Sequence, residues 1–515
     1  MLNIDHKEKI AFLDCTLRDG GYYTNWDFDD GLLDDYLEKA GKLPIDFIEI
    51  GYRSKTITDY RGAFYYSPKF LLEYCKGKTD KKFAIILNEK EIQLQDLDEL
   101  LNPCKGLISL VRLAVAPSNL SRVVELAENI KARGFLVSVN LMYASKWQDN
   151  LYLEKSLKRL NTILDYFYVV DSYGGMHPSE VAEVFRKLKG ILDTSLGFHG
   201  HNNIEMALIN SLTALNSGAT IVDGTITGMG RGAGNLKTEL FLTILHQKYG
   251  VKVNFDILNE LSDLFLEVKK EYGWGTNLPY MVSGAYSLPQ NEVRGQVKKR
   301  FYSLNAVISE VGEIGIVEKN QSIPFLNKKK DINEFLLIGG GKTPQKFFGV
   351  IREFLRKNPE IGIIHSSSKN IEVFADLANF QIHCIGGMEM NRLQHKLTLD
   401  QLKSRIFVVS RKKNSAFNFP EVYKNHIRRI SEGNFQDRYE LSATAMAVDI
   451  ANFYKANMIM LIGYDGYDYG ATKEELELFK ENQCIFDAVE TEGMQIFSVT
   501  STKYEITTRS IFSLI

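Results

Sequence analysis

The chain has 515 residues, and 62 Lys+Arg against 64 Asp+Glu leave a formal charge of −2. At about 150 residues per domain, that length holds roughly two to four domains, or one large barrel and something smaller. With 44% hydrophobic and 24% charged residues, disordered and collagen-like architectures are excluded, and the neutral balance argues against a general nucleic-acid binder.

Five scattered cysteines (Cys15, Cys75, Cys104, Cys384, Cys484), with no CxxC pair, indicate neither a disulfide framework nor a thiolate zinc site. No apolar run reaches the roughly 18–20 residues of a membrane span. The charged start MLNIDHKEKI lacks the apolar stretch of a signal peptide. A cytoplasmic protein is the expectation.

From Ile10 to Thr225 short apolar, β-branched runs alternate with helical patterns. The runs are IAFLDCTL (10–17), FIEIG (47–51), FAIIL (83–87), LVRLAV (110–115), LVSVNLM (136–142), DYFYVVDS (165–172), SLGFHGH (195–201) and IVDGT (221–225). Eight such strands with helix-length gaps predict βα repeats around a parallel sheet buried on both faces. A TIM (β/α)8 barrel is the favoured α/β architecture, and a doubly wound open sheet is the alternative. The barrel is expected over 1–252, with a helical extension over 253–318. A polar, lysine-rich linker follows at 319–332, and a smaller α/β domain occupies 333–515. Strand-like runs in that last part are 335–342, 361–368, 380–387, 405–412 and 458–468.

Chemistry in a barrel sits at the C-terminal strand ends. There the sequence places Arg18 and Asp19, Glu49, Asp171, His199 and His201, and the glycine-rich GMGRGAGN (228–235). Histidines two apart on a strand point to one face, about 7 Å apart along the chain. With an Asp19 carboxylate oxygen and the Asn235 amide oxygen they form a mixed N/O set suited to Mn²⁺, Mg²⁺, Fe²⁺ or Zn²⁺. Two polar histidines lining a cleft are the plainer alternative. Arg18 beside a metal could stabilise an enolate oxygen, or it could pair with Glu49 or Asp171 in a structural network; the two roles are compatible. None of the eight runs contains a lysine, so Schiff-base chemistry is disfavoured and a metal is the expected electron sink. Cys15 reads as a core residue of the first strand.

Taken together, LDCTLRDGG (13–21), FIEIG (47–51), VVDSYGGMHP (169–178), GFHGHNN (197–203) and GTITGMGRGAGNLKTE (224–239) resemble the signature segments of the DRE-TIM metallolyases. That group includes 3-hydroxy-3-methylglutaryl-CoA lyase, the 4-hydroxy-2-oxovalerate aldolases, and the homocitrate and isopropylmalate synthases. The resemblance spans roughly residues 10–240 and is nearest to the 4-hydroxy-2-oxo acid aldolases. It implies a divalent metal, Mn²⁺ or Mg²⁺ foremost, on Asp19, His199 and His201, with Asn235 a further ligand. Arg18, Asp19 and Glu49 are then the residues the group is named for, with Arg18 beside a pyruvate or acetyl-type enolate. Asp171 joins the site candidates at the end of the sixth strand. The segment YMVSGAYSLPQNEV (280–293) resembles the aldolases' post-barrel helices and puts Tyr286 near the site.

Two departures stand out. The aldolases' general-base histidine two residues after LRDG is here Tyr22, a poor base at an ordinary tyrosine pKa near 10. The lyase's cysteine-containing glycine loop is absent, which counts against 3-hydroxy-3-methylglutaryl-CoA lyase activity.

The expected function is therefore a metal-dependent lyase joining or splitting a 2-oxo acid and an aldehyde. A Claisen-type acyl-CoA synthase is the nearest alternative. Another is a barrel scaffold serving a C-terminal sugar or nucleotide transferase. Family analogy implies a homo-oligomer. In the second domain, FLLIGGGKTP (335–344) puts Gly339, Gly340 and Gly341 after a strand, and MIMLIGYDGYD (458–468) ends another near Asp465. The region loosely resembles Rossmann-like domains of bacterial surface-glycan proteins, which makes these four residues candidates for a nucleotide or phosphorylated ligand. A plain tight turn is the alternative.

Overall fold

The computed structural model describes residues 10–147, 151–288, 323–328, 330–385, 393, 396–410, 425–431, 433–439, 442–467, 471 and 473–515. The chain divides into two compact units, Met1–Arg294 and Gly295–Ile515.

In the first unit eight parallel strands close into a barrel in chain order, β1 meeting β8. They are β1 (Ala11–Asp14), β2 (Phe47–Tyr52), β3 (Lys82–Asn88), β4 (Leu110–Val115), β5 (Leu136–Leu141), β6 (Tyr166–Asp171), β7 (Ser195–Gly200) and β8 (Ala219–Gly224). The expected TIM-barrel fold is thus present. Its strands read as continuous apolar runs because both faces are buried. Outward residues such as Ile48, Val111, Val139 and Phe198 pack under the helices, while Leu13, Phe47, Leu110 and Tyr168 fill the lumen.

The first strand is shorter than its apolar run. It ends at Asp14, and a helix begins at Thr16, so Arg18 and Asp19 lie in a first helical turn and not on a strand. The buried Asp14 carboxylate enforces the turn by accepting hydrogen bonds from Thr16 N, the Tyr36 hydroxyl and the Thr238 hydroxyl. Cys15 is buried just beyond the strand. A lysine does open β3, but Lys82 is exposed at the end opposite the chemistry.

The β2–β3 register shifts between Glu49 and Gly51. A bulge of this kind re-aims neighbouring side chains. Gly51 is required there, since a Cβ would sit 1.9 Å from the Phe64 carbonyl oxygen. The helices Phe255–Tyr272 and Leu278–Ala285 belong to this first unit, and Leu258, Leu261, Phe265 and Trp274 join its core. The rest of the expected extension, including 289–293 of the aldolase-like segment, and the start of the linker lie outside the described residues.

The second unit holds a seven-stranded parallel sheet among the described residues. Its strands are β9 (Glu334–Ile338), β10 (Gly362–His365), β11 (Gln381–Ile385), β12 (Ile406–Val409), β13 (Ile427–Arg429), β14 (Met458–Ile462) and β15 (Gln495–Ser498), ordered β13-β12-β11-β10-β9-β14-β15. Apolar clusters cover both faces, as in an open α/β sheet. The strand order reverses between β9 and β14, where such sheets place ligands. No helix among the described residues is long and apolar enough to cross a membrane.

Candidate active site

Two elements at the C-terminal end of the barrel converge on one point. The first helical turn brings Asp19, and β7 with its continuation brings His199 and His201. One ligand atom from each of these three buried residues lies within 4.8 Å of the others. Hydrogen bonds fix which atoms face inward. His199 Nδ1 is 2.9 Å from Asp223 Oδ2, and His201 Nδ1 is 2.8 Å from the Asp171 carbonyl oxygen. Both Nε2 atoms are thereby left for the site, and His199 Nε2 stands 3.5 Å from Asp19 Oδ2. Asn235 donates from Nδ2 to Asp19 Oδ2 at 2.6 Å, while its Oδ1 is buried without a hydrogen-bond partner.

Electrostatics agree with this geometry. Burial alone would raise the Asp19 carboxyl, but Arg18, the two histidines and Asn235 hold it below the usual carboxylate range. Burial and the neighbouring His199 push His201 down to about 3, so it offers a neutral imidazole lone pair. A carboxylate, two imidazoles and an orphaned amide oxygen fit a divalent cation, and the second bonds on the histidines are those expected of metal ligands.

Arg18 lies against the same point. It pairs with Asp19 and donates from Nε to Glu49 Oε2 at 2.8 Å. Asp171 is turned to another task. Its carboxylate accepts from the amides of Gly175 (3.2 Å) and Met176 (3.1 Å), and burial, opposed by these bonds, pushes it up to about 6. The Tyr22 hydroxyl is 2.9 Å from that of Tyr52, and the Arg231 guanidinium stands over the Tyr22 ring. Tyr286 ends the helix Leu278–Ala285 and is half exposed. That helix rests on the loops after β6 and β7, where Asn203 Nδ2 reaches the Tyr280 carbonyl oxygen.

Sequence reasoning passed over Arg112, Asn140 and Asp223, which lie in the lumen beneath the site. Arg112 Nη2 is 2.5 Å from Asp223 Oδ2, and its Nε donates to Asn140 Oδ1 at 3.2 Å. Two signals pointed there: an arginine inside the apolar run LVRLAV and an aspartate inside IVDGT.

In the second unit Gly339, Gly340, Gly341 and Asp465 do come together at the point of strand reversal. Asp465 accepts from the amides of Lys342 (2.6 Å) and Thr343 and from the Thr343 hydroxyl. The Gly339 and Gly341 amides donate to the carbonyls of Ile462 and Gly463. The chain's own groups therefore engage donors that a phosphate would need.

Fold and site together define a (β/α)8 barrel enzyme with a carboxylate–imidazole centre flanked by an arginine. Residues 113–265 match the HMGL-like family. A solved N-terminal domain of a candidate aldolase from Bacteroides vulgatus is 46% identical, with a TM-score of 0.56 over 58% of this chain and 99% of that one. The oxaloacetate decarboxylase of Mycobacterium tuberculosis is 26% identical over 324 residues, 61% of this chain and 94% of that protein. A 4-hydroxy-2-oxovalerate aldolase of Geobacillus thermodenitrificans is 34% identical over 194 residues, 36% of this chain and 53% of that protein. The chain belongs to the HMGL-like family and is a carbon–carbon lyase.

Proposed function

We propose that this chain is a divalent-cation-dependent aldolase that makes or cleaves the C–C bond beside a 2-oxo acid. The observation that carries this reading is the convergence of Asp19, His199 and His201 next to Arg18 at the C-terminal end of the barrel. The aldolase and decarboxylase relatives support it, because both named reactions develop charge on the carbon next to a 2-oxo group.

When bound, the cation supplies Lewis-acid pull on the 2-oxo carbonyl. Arg18 holds positive charge beside the oxygen that turns negative as a methyl proton leaves pyruvate. Glu49 fixes the guanidinium so that it need not reorient during the reaction. In synthesis the enolate carbon bonds to the aldehyde carbon, and the aldehyde oxygen takes up a proton. In cleavage that hydroxyl loses its proton, the C–C bond breaks, and the enolate carbon is protonated. The Tyr22–Tyr52 hydroxyl pair is assigned to carry the proton at the aldehyde oxygen.

Elemental analysis of purified protein, paired with deuterium exchange into the pyruvate methyl group, tests the reading. Stoichiometric metal and metal-dependent exchange, both lost in His199→Ala, are expected. Metal without exchange would replace pyruvate by another enolisable donor, an acyl-CoA included. Neither metal nor exchange after Mn²⁺ addition would overturn the assignment.

A further inference from the structure

Arg18 shares its Glu49 partner with a second buried cation. Arg112, in the middle of β4, has 0% exposure and heads the largest fully buried side chains of the described residues. A guanidinium in a packed lumen is costly unless its hydrogen bonds and its charge are both met. Here both are. Nη2 is 2.5 Å from Asp223 Oδ2, Nη1 is 3.1 Å from Glu49 Oε2, Nε donates to Asn140 Oδ1, and the carbon of the guanidinium stands 4.3 Å over the Tyr168 ring.

The choice of oxygen atoms is informative. Asp223 Oδ2 is the same atom that faces His199 Nδ1, and Glu49 Oε2 is the same atom that receives Arg18 Nε. One guanidinium therefore shares an oxygen with each of two active-site residues, His199 on β7 and Arg18 in the helical turn after β1. We infer that Arg112 is a positioning residue that aligns both halves of the site. Through Asp223 it fixes the His199 ring with Nδ1–H donated downward and the Nε2 lone pair turned toward Asp19. Through Glu49 it fixes the direction of Arg18. The inference rests on the reading of Asp19, His199 and His201 as a cation site.

Only an arginine suits this position. Its planar fork reaches two carboxylates at once, whereas a lysine ammonium is a single point charge that can sit against one of them. The charges also separate positioning from simple electrostatics. Arg18 and Arg112 face the carboxylates of Asp19, Glu49 and Asp223, a net charge of −1 for these five groups. Removing the Arg112 charge makes the surroundings more negative, so field effects alone would tighten binding of a cation. Loss of the His199 alignment would weaken it. The two accounts predict opposite signs.

The test uses the full chain and Mn²⁺ alone as probe, with free ion read by electron paramagnetic resonance, for wild type, Arg112→Met, Arg112→Lys, Asp223→Asn and the Arg112→Met/Asp223→Asn double variant. Near-ultraviolet circular dichroism and thermal melting establish folding. Positioning predicts weaker Mn²⁺ binding in Arg112→Met by about 10- to 100-fold, the range typical of lost outer partners of metal ligands. It also predicts that the double variant binds no worse than the weaker single one, because both act through His199. Arg112→Lys, which keeps the charge and is the variant to use should the methionine fail to fold, is expected to bind Mn²⁺ more weakly than wild type and to lose deuterium exchange. Unchanged or tighter Mn²⁺ binding in folded Arg112→Met or Arg112→Lys would overturn the inference while leaving the cation site intact. Absence of Mn²⁺ binding by wild type would instead overturn the cation reading and this inference with it.

Discussion

The two parallel sheets of this chain treat the polar groups at their strand ends in opposite ways. In the barrel, every hydrogen bond around His199, His201 and Asn235 leaves one atom of each residue facing the Asp19 carboxylate or without a partner. In the second sheet, at the strand reversal that topology marks as a ligand crevice, Asp465 takes the turn's amides and Asn370 Nδ2 takes the Gly339 and Gly341 carbonyls. Both places satisfy the positional rule for a site. What separates them is whether the chain consumes its own donors and acceptors. The barrel leaves them pointed at a common centre, and the second sheet closes them on itself.

The sharpest way to break the contrast is to remove charge from the barrel end. Arg18→Gln should cut pyruvate deuterium exchange about 10²–10³-fold, the usual loss for a preorganised group facing developing negative charge. It should also leave Mn²⁺ binding in place, because no ligand atom is removed. Steady-state exchange rates beside a Mn²⁺ titration check both halves. A variant that exchanges normally would confine Arg18 to the structural network with Glu49. Next in size, Tyr22→Phe should lower aldol turnover by at least about tenfold while leaving methyl exchange near wild type, since the tyrosine is assigned to the aldehyde oxygen alone. Equal losses in both assays would move Tyr22 to the enolisation step.

Much of the barrel was legible in sequence because its strands are buried on both faces and so appear as unbroken apolar runs. The end of β1 was not legible, since Cys15 and Leu17 are as apolar as the strand itself. The turn there is set by Asp14 binding Tyr36 and Thr238, residues 22 and 224 positions away. Strands β13 and β15 escaped for a different reason. Ile427–Arg429 has three residues, two of them arginines, and Gln495–Ser498 has only Ile496 and Phe497 as apolar members. The arginine, the acids and the histidines at the barrel mouth could be named because chemistry needs those residue types at strand ends. Arg112 could not be placed, because its partners sit on β2, β5 and β8 and only closure of the barrel brings them together.

Acid should separate the two units. His365 and His383 stack in the second sheet with ring centroids 4.2 Å apart. Gln381 Oε1 accepts from His365 Nε2 at 3.0 Å, and Arg405 donates to His383 Nε2 at 3.0 Å. Burial, with Arg405 close by, pushes His365 down to about 3; burial, then His365 and Arg405, push His383 well below its ordinary value. A histidine whose folded pKa is depressed takes up its proton more readily when unfolded. Stability of this unit is therefore complete above about pH 6.5 and is lost as pH falls toward 3, by up to about 1.4 kcal/mol per pH unit for each histidine. Amide protection factors in Gly362–Ile385, corrected for the intrinsic pH dependence of exchange, should fall over that range, and His383→Phe, which extends the stack toward Phe407, should flatten the dependence. An unchanged profile in that variant would remove His383 from the acid response.

The smallest expected effect tests the closed crevice itself. Asp465→Ala removes the acceptor shared by the Lys342 and Thr343 amides and the Thr343 hydroxyl, a loss comparable to deleting a helix cap and worth about 1–2 kcal/mol. Trp26, Trp147 and Trp274, the three tryptophans of the chain, all lie in the first unit, so their fluorescence reports the barrel alone. Urea unfolding followed by hydrogen exchange at Glu334–Ile338 should shift downward, while the tryptophan transition and pyruvate exchange stay at wild-type values. If Asp465→Ala instead gained affinity for inorganic phosphate, the carboxylate would be acting as a plug in a competent anion cradle. The contrast between the two sheets would then be one of occupancy by the chain rather than of design.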